Sequence, residues 1–286
     1  MDIFFLTLFT GVCVGFIYGL IAFSLTAVYN VCGVLNFVQG ECFMGGAAIG
    51  FFLMTQLDLP FSLTLLVILV ATGILGFLTN YVLVSPLLGR RTPLITVIVA
   101  TIGATMLISG GIGGITEWRW MPVHPLISGA WHLGSLTIMP SYVVIILTAV
   151  VVVTGYWLFE NKTIYGMALR ATGINRAMAE LVGIQVPSMI ALAFVIGSII
   201  AGITGIVVAP VITPHPIMGM HYLLLGFISA VVGGLGNAYG SMIGGLILGL
   251  LGIVISSYVF PVYADIATFV LLLIVLVARP KGLFAR

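Results

Sequence analysis

Long apolar runs that carry almost no charge are the feature that most constrains this chain. They cover residues 3–29, 34–56, 61–84, 94–115, 140–158, 189–210, 221–235, 241–258 and 264–278. A transmembrane helix needs about 20 predominantly apolar residues. Only 6% of the residues are charged, against about 25% in soluble domains, which is too few to solvate a soluble surface. We therefore predict an all-α, polytopic integral membrane protein of about 8–10 transmembrane helices, forming one domain over residues 1–286.

Glycine and proline interrupt two of these apolar regions. Gly33 and Gly40 flank polar residues near the start of the second run, and Thr213-Pro214-His215-Pro216 follows the sixth. Proline ends helices, and unwound backbone at membrane depth is tolerated where it lines a cavity. We expect broken or re-entrant segments near residues 30–45 and 213–237.

Basic residues predict the orientation, because short cytoplasmic loops are enriched in lysine and arginine. With these runs as spans, eight basic residues fall on one side: Arg90, Arg91, Lys162, Arg170, Arg176, Arg279, Lys281 and Arg286. Only Arg119 falls on the other side, in a polar segment that also carries three tryptophans. A cytoplasmic C-terminal tail and an external N-terminus follow.

The least apolar stretch, residues 160–188, has a helical pattern. Gly166–Thr172 is expected to form a short helix that breaks at Gly173. Asn175 is expected to cap a second helix, for which Gly183 is the stop signal. An amphipathic helix pair between two membrane spans favours a cytoplasmic docking surface, although such segments also lie flat at the membrane interface.

Three polar residues, Asn36, Gln39 and Glu41, lie at the start of the second apolar run. An ionisable side chain inside a membrane is costly and indicates a functional site that faces a bundle interior or a cavity. The alternative is a helix start, in which Asn36 caps the helix and Glu41 complements its positive N-terminal dipole.

Two further polar positions are candidates for the same site. Thr101 begins a stripe with Thr105 and Ser109, for which hydrogen bonds back to their own helix are the favoured role. Asn237 follows a glycine pair and is the other candidate.

Motifs for catalysis, metal binding or nucleotide binding do not occur in the sequence. The four histidines show no metal-ligand spacing, and Cys13, Cys32 and Cys42 lie in apolar runs. Neither Lys162 nor Lys281 stands in a phosphate-binding loop. We predict that the chain is not an enzyme and holds no metal or cofactor. Any ATP must be bound by another chain.

Six sets of short motifs, in order along nearly the whole chain, resemble one known family. They are G-F-I-Y-G-L-I-A-F-S-L (Gly15–Leu25) with G-V-L-N-F-V-Q-G-E (Gly33–Glu41), A-T-I-G (Ala100–Gly103), G-M-A-L-R-A (Gly166–Ala171), N-R-A-M-A-E-L-V-G-I (Asn175–Ile184), G-G-L-G-N-A-Y-G (Gly233–Gly240) and R-P-K-G-L-F (Arg279–Phe284). The chain is similar to the permease subunits of ABC importers for branched-chain and other hydrophobic amino acids, the LivH type. It departs from the family's usual residues at Asn30, Val38 and Gln39.

The resemblance implies a multi-pass protein of the bacterial cytoplasmic membrane that forms an inward path for hydrophobic amino acids. It implies a second, LivM-like permease subunit, two LivG/LivF-like ATPase subunits that use ATP and Mg²⁺, and a periplasmic or extracellular solute-binding protein. Membrane lipid is the other expected partner, and no nucleic acid is expected to bind. The same broad family includes permeases for urea, short amides and small organic acids. A secondary transporter or facilitator without an ATPase is the further alternative.

The polar positions described above form the predicted translocation path: Asn36, Gln39, Glu41, Thr101 and Asn237. The resemblance adds a second set of candidate residues. Residues 160–188 would be the cytoplasmic coupling loop, in which six residues face or shape the ATPase contact: Arg170, Asn175, Arg176, Ala179, Glu180 and Gly183.

Overall fold

The computed structural model describes residues 2–89, 92–127, 129, 131–133, 136–279 and 281–284. These residues form twelve α-helices: α1 (Asp2–Cys32), α2 (Val38–Gly50), α3 (Phe61–Leu78), α4 (Ser85–Gly89), α5 (Leu94–Thr116), α6 (Pro140–Lys162), α7 (Ile164–Ile174), α8 (Arg176–Leu181), α9 (Val186–Ile212), α10 (Met218–Gly233), α11 (Ala238–Tyr258) and α12 (Pro261–Ala278). Short π-helical segments, Phe51–Gln56 and Thr79–Val84, continue α2 and α3. The predicted helical membrane fold is confirmed.

Among the described residues, a short antiparallel hairpin interrupts the otherwise helical fold. Strands β1 (Trp131–Leu133) and β2 (Leu136–Ile138) pair with Trp131 opposite Ile138. The hairpin lies in the polar segment between α5 and α6. It therefore leaves the helical membrane fold unchanged.

Six helical stretches of the described residues are long and apolar enough to cross a membrane. They are Phe4–Cys32, Phe61–Gly89, Leu94–Thr116, Pro140–Lys162, Val186–Ile212 and Ala238–Tyr258. Three shorter apolar elements accompany them: α2 with its π-helical continuation, α10 and α12. The predicted breaks occur on both sides of α10 and between α1 and α2, where Gly33 adopts a positive φ of 63°.

One end of the bundle is formed by the segments after α5 and α9. Met121 N donates to Pro214 O at 2.8 Å, and Thr55 Oγ1 donates to Pro122 O at 3.4 Å. His215 Nε2 is 3.0 Å from Trp118 O. The tryptophan-rich segment and the Pro214 break therefore meet at this end.

The opposite end, called here the basic end, carries Lys162, Arg170, Arg176, Arg279 and Lys281. The α7–α8 pair and the break after α10 meet the end of α1 here. The predicted basic residues Arg90, Arg91 and Arg286 lie outside the described residues. In the part of the chain that the structure describes, nine elements run alternately between the two ends: α1, α2, α3, α5, α6, α9, α10, α11 and α12. The start of α1 and the end of α12 therefore lie at opposite ends.

Close backbone packing places α1 at the centre, against α11. A Cβ on Gly245 would overlap the backbone of Gly19, and a Cβ on Gly249 would overlap that of Gly15. Small residues let helices approach closely in lipid, where dispersion contacts replace the hydrophobic driving force. On its other face, α11 packs Gly244 against Ser229 of α10.

Candidate functional site

The break between α1 and α2 positions the candidate site. Gly33 N donates to Tyr29 O at 2.7 Å and ends α1. The chain then turns, and Asn36 Oδ1 accepts from Val38 N at 3.1 Å where α2 begins. A side-chain acceptor here satisfies one of the free N–H groups of the new helix. The predicted helix-start role of Asn36 and a functional role are therefore compatible.

Three of the predicted path residues meet at this break. Asn36 Nδ2 donates to Gln39 Oε1 at 3.4 Å, and Phe37 N donates to Thr101 Oγ1 at 3.4 Å. Thr101 Oγ1 also donates to Ile98 O at 2.8 Å, which is the predicted bond back to its own helix. The break thus joins α2 to α5.

Two buried polar atoms of this region have no hydrogen-bond partner among the described residues. They are Gln39 Nε2 and Glu41 Oε2, on side chains that are 0% and 1% exposed. A buried, unsatisfied polar group costs about 1–3 kcal/mol, more when it is charged, so native structures keep few of them. Within a membrane fold, such groups indicate a place where a ligand or water is bound.

An apolar cavity of about 310 Å³ adjoins Glu41, between α2, α3 and α5. Glu41 is the only ionisable residue among its described lining residues, and the rest of the wall is mainly isoleucine, leucine, alanine and phenylalanine. A carboxylate at the edge of an apolar chamber matches a solute that has a cationic group and an apolar body. Ile108, Ile112 and Ile115 of the wall were not predicted, because on sequence they are indistinguishable from a lipid-facing stripe.

Glycine contacts hold α2 against α9 and α10 and so fix the position of Glu41. A Cβ on Gly40 would overlap Gly219 O, and a Cβ on Gly46 would overlap the backbone of Gly202. The Glu41 carboxylate itself lies beside Gly219. Space for this carboxylate therefore depends on small residues in two other helices.

Asn237 is not brought together with the other four predicted path residues. It lies at the basic end, where its Oδ1 accepts from Gly240 N at 3.1 Å and caps α11. Its Nδ2 donates to Phe284 O at 3.0 Å. The side chain thus ties the start of α11 to the C-terminal segment.

Helices α7 and α8 form the expected pair in residues 160–188. Asn175 Oδ1 accepts from Met178 N at 3.1 Å and caps α8, and Gly183 has a positive φ of 88° after it. The expected break at Gly173 is wrong, because α7 continues to Ile174. Gly173 is needed for packing instead: a Cβ there would meet Asn30 O at 2.7 Å.

The predicted coupling residues divide into exposed and inward-facing positions. Asn175, Glu180 and Gly183 are exposed, whereas Ala179 is buried at 3% exposure. Arg176 Nε and Nη2 donate to Val31 O at 3.2 and 2.9 Å. This guanidinium therefore fastens α8 to the end of α1.

Exposed apolar side chains lie where α7 and α8 end. Ile174 and Leu181 are each 81% exposed, and Val182 is 76% exposed. Unlike the apolar side chains of the spans, they lie at the ends of short helices at the basic end. Exposed apolar side chains outside the spans indicate contact with a partner or a membrane surface.

Comparison with known proteins agrees with this architecture. Residues 7–276 match the family described as "Branched-chain amino acid transport system / permease component". The chain is 30% identical to the high-affinity branched-chain amino acid transport system permease protein LivH of Escherichia coli (strain K12), covering 98% of this chain and 94% of that protein. It is 31% identical to the corresponding BraD permease of Pseudomonas aeruginosa, covering 98% and 95%.

A solved structure shares the fold. The structure described as "PsaBC from Streptococcus pneumoniae in complex with Fab" superposes with a TM-score of 0.51 at 12% identity, covering 95% of this chain and 91% of that one. At this identity the likeness concerns the fold alone. Together with the near full-length sequence matches, the helical bundle shows that the chain belongs to the family of multi-pass permease subunits of the branched-chain amino acid ABC transport systems.

Proposed function

We propose that this permease forms the inward path for branched-chain and other hydrophobic amino acids, and that Glu41 contacts the solute. The observation that carries the proposal is the unpartnered Glu41 Oε2 at the edge of the apolar cavity. The α-ammonium group of an amino acid is the donor that this carboxylate lacks, and the branched side chain matches the isoleucine wall. Relatives are named as branched-chain amino acid permeases, which supports this substrate class.

The neighbouring polar residues have supporting roles in this proposal. Asn36 and Thr101 hold the break open by binding backbone N–H groups. Gln39 does not line the cavity, because its Nε2 lies beside Gly197 of α9. Glu41 is therefore the one polar residue of α2 that we propose to contact the solute.

Energy for transport comes from other chains in this proposal. A second, LivM-like permease subunit completes the path, two LivG/LivF-like subunits bind and hydrolyse ATP with Mg²⁺, and a solute-binding protein delivers the amino acid. This chain performs no covalent chemistry. A partner can shift a transporter between two conformations only if it binds one of them more tightly than the other. The ATPases must therefore contact a segment of the permease that moves when the path opens or closes.

The α7–α8 pair of residues 160–188 is that segment in our proposal, with the basic end in the cytoplasm. It offers the exposed residues Glu180, Leu181 and Val182 to an ATPase. On its inner side, Arg176 binds the end of α1, directly before the break that leads to Glu41. Arg170 donates to Glu160 O at 3.3 Å and ties α7 to α6. The arginines thus position the pair, while exposed residues make the contact.

The Glu41 assignment is tested by uptake of radiolabelled L-leucine into proteoliposomes that contain the assembled transporter. Glu41→Gln keeps the side-chain size but removes the charge. We expect at least about tenfold slower uptake, since a hydrogen bond to a charged group contributes about 1.5–3 kcal/mol. Thr204→Val, which removes a buried hydroxyl that is bonded only to its own helix, is the matched control. Wild-type uptake by Glu41→Gln would disprove solute contact by Glu41.

The coupling surface is tested by copurification of the ATPase subunits with the tagged permease. Leu181→Asp places a charge on the proposed contact, so we expect the ATPases to be lost. Leu57→Asp is the matched control, because Leu57 is exposed at the opposite end of the bundle. Full ATPase recovery and normal uptake with Leu181→Asp would exclude this surface.

A further inference from the structure

A second cavity opens at the basic end, between α1, α6, α7 and the break that separates α10 from α11. Its volume is about 670 Å³, within the range of about 300–1,000 Å³ that is typical of small-ligand sites. It shares no lining residue with the cavity beside Glu41. It is therefore distinct from the cavity beside Glu41, and the proposed orientation puts it at the cytoplasmic end.

The charges in its wall are balanced. Glu160 and Arg170 are the charged residues among its described lining residues. Tyr239 Oη donates to Glu160 Oε2 at 2.9 Å, which fixes the carboxylate. Arg170 uses one nitrogen on Glu160 O, and its other N–H donors have no partner among the described residues. One fixed charge of each sign suits a zwitterion better than a ligand with a net charge.

The remaining wall suits an apolar group next to a cation. Tyr29, Tyr156, Trp157 and Tyr239 all line the cavity. Aromatic rings bury apolar side chains well, and their faces attract ammonium groups. Asn30 adds a buried Oδ1 that has no donor among the described residues.

We propose that this cavity is a second binding site for the imported amino acid, filled from the cytoplasm. The ammonium group binds Glu160, the carboxylate binds Arg170, and the apolar side chain packs against the aromatic rings. The identity of the ligand rests on the proposed function. Because Arg170 belongs to α7 whereas Glu160 and Tyr239 belong to α6 and α11, the bound amino acid fastens the coupling helix to the bundle. Accumulated product therefore slows ATP-driven uptake.

The test uses Trp157 as the reporter. The complete transporter is placed in phosphatidylglycerol nanodiscs and titrated with L-leucine while tryptophan fluorescence is recorded. We expect a saturable change that is lost in Trp157→Phe. Arg170→Gln and Glu160→Gln should each weaken the apparent affinity by at least about tenfold, because each removes a charge-assisted hydrogen bond. Lys162→Gln, a neighbouring charge that does not line the cavity, should leave the affinity unchanged.

The outcomes separate this proposal from the proposed function. Uptake of L-leucine without a Trp157-dependent signal overturns the second site and leaves the transport function intact. An apparent affinity for L-leucine that is unchanged in both Arg170→Gln and Glu160→Gln also overturns the second site. Two variants are used so that the test still decides if one of them fails to assemble. A signal without uptake overturns the claim that the ligand is the imported solute.

A lipid headgroup is the competing occupant. Phosphatidylethanolamine also carries an ammonium group beside an anion. The titration is therefore repeated in nanodiscs that contain this lipid. An unchanged affinity for L-leucine supports the amino acid site, whereas loss of the signal assigns the cavity to the headgroup and overturns the proposal.

Discussion

Replacement of Arg176 by glutamine should detach α8 from α1 and uncouple ATP hydrolysis from transport. Two guanidinium nitrogens donate to one acceptor, Val31 O. A hydrogen bond from a charged group contributes about 1.5–3 kcal/mol. Because both donors share one partly buried acceptor, their contributions do not add fully. We therefore assign about 2 kcal/mol to the attachment of α8 through both bonds. This corresponds to about a thirtyfold rise in the detached population.

Hydrogen exchange measures that population directly. In the assembled transporter, the amides of residues 179–184 should exchange about thirtyfold faster in Arg176→Gln, because local opening governs their exchange. Leucine uptake per ATP hydrolysed should fall several-fold. Lys162→Gln removes a basic charge at the same end and should change neither value. Unaltered exchange together with an unaltered uptake ratio in Arg176→Gln would refute the attachment of α8 through Val31.

Three further substitutions test packing and surface electrostatics. Gly249→Val should prevent stable folding, because its side chain would overlap the Gly15 backbone. Gly252→Val should be neutral, because a Cβ at this position has no neighbouring atom within 4 Å. Size-exclusion profiles of the two purified variants in detergent compare their folding. Glu117→Gln breaks an exposed 2.5 Å ion pair with Arg119 and should change the thermal midpoint of the purified protein by no more than a degree or two, because exposed ion pairs contribute about 0–1 kcal/mol. A larger shift would indicate that this pair is part of a structural network.

Local chemistry was sufficient to predict several features of the fold. The uncharged apolar runs predicted the helical spans, and Asn175 and Gly183 predicted the ends of α8. Helix caps are reliable because the donor and acceptor are only a few residues apart. The error at Gly173 has the opposite cause. Its role depends on the carbonyl of Asn30, which is remote in sequence.

The candidate site was only partly predictable. An ionisable residue in an apolar run marks Glu41 on sequence alone, because any charge inside a membrane requires a reason. The sequence could not place Thr101 beside the backbone N–H of Phe37, nor separate Asn237 from the other candidates, because those relations depend on how α2, α5 and α11 pack. The isoleucines that line the cavity look the same as residues that face lipid.

The sequence by itself determined that this chain spans a membrane, which end carries its positive charge, and that the helices break within residues 30–45 and 213–237. These properties follow from composition and from bonds between near neighbours. Only the tertiary structure decided that Arg176 faces inward to α1 and that Glu41 borders a cavity. The direction in which a side chain points is set by contacts between helices that are dozens of residues apart in sequence. In lipid, those contacts depend on the complementary shapes of the helices and not on a hydrophobic pattern that can be read along the chain.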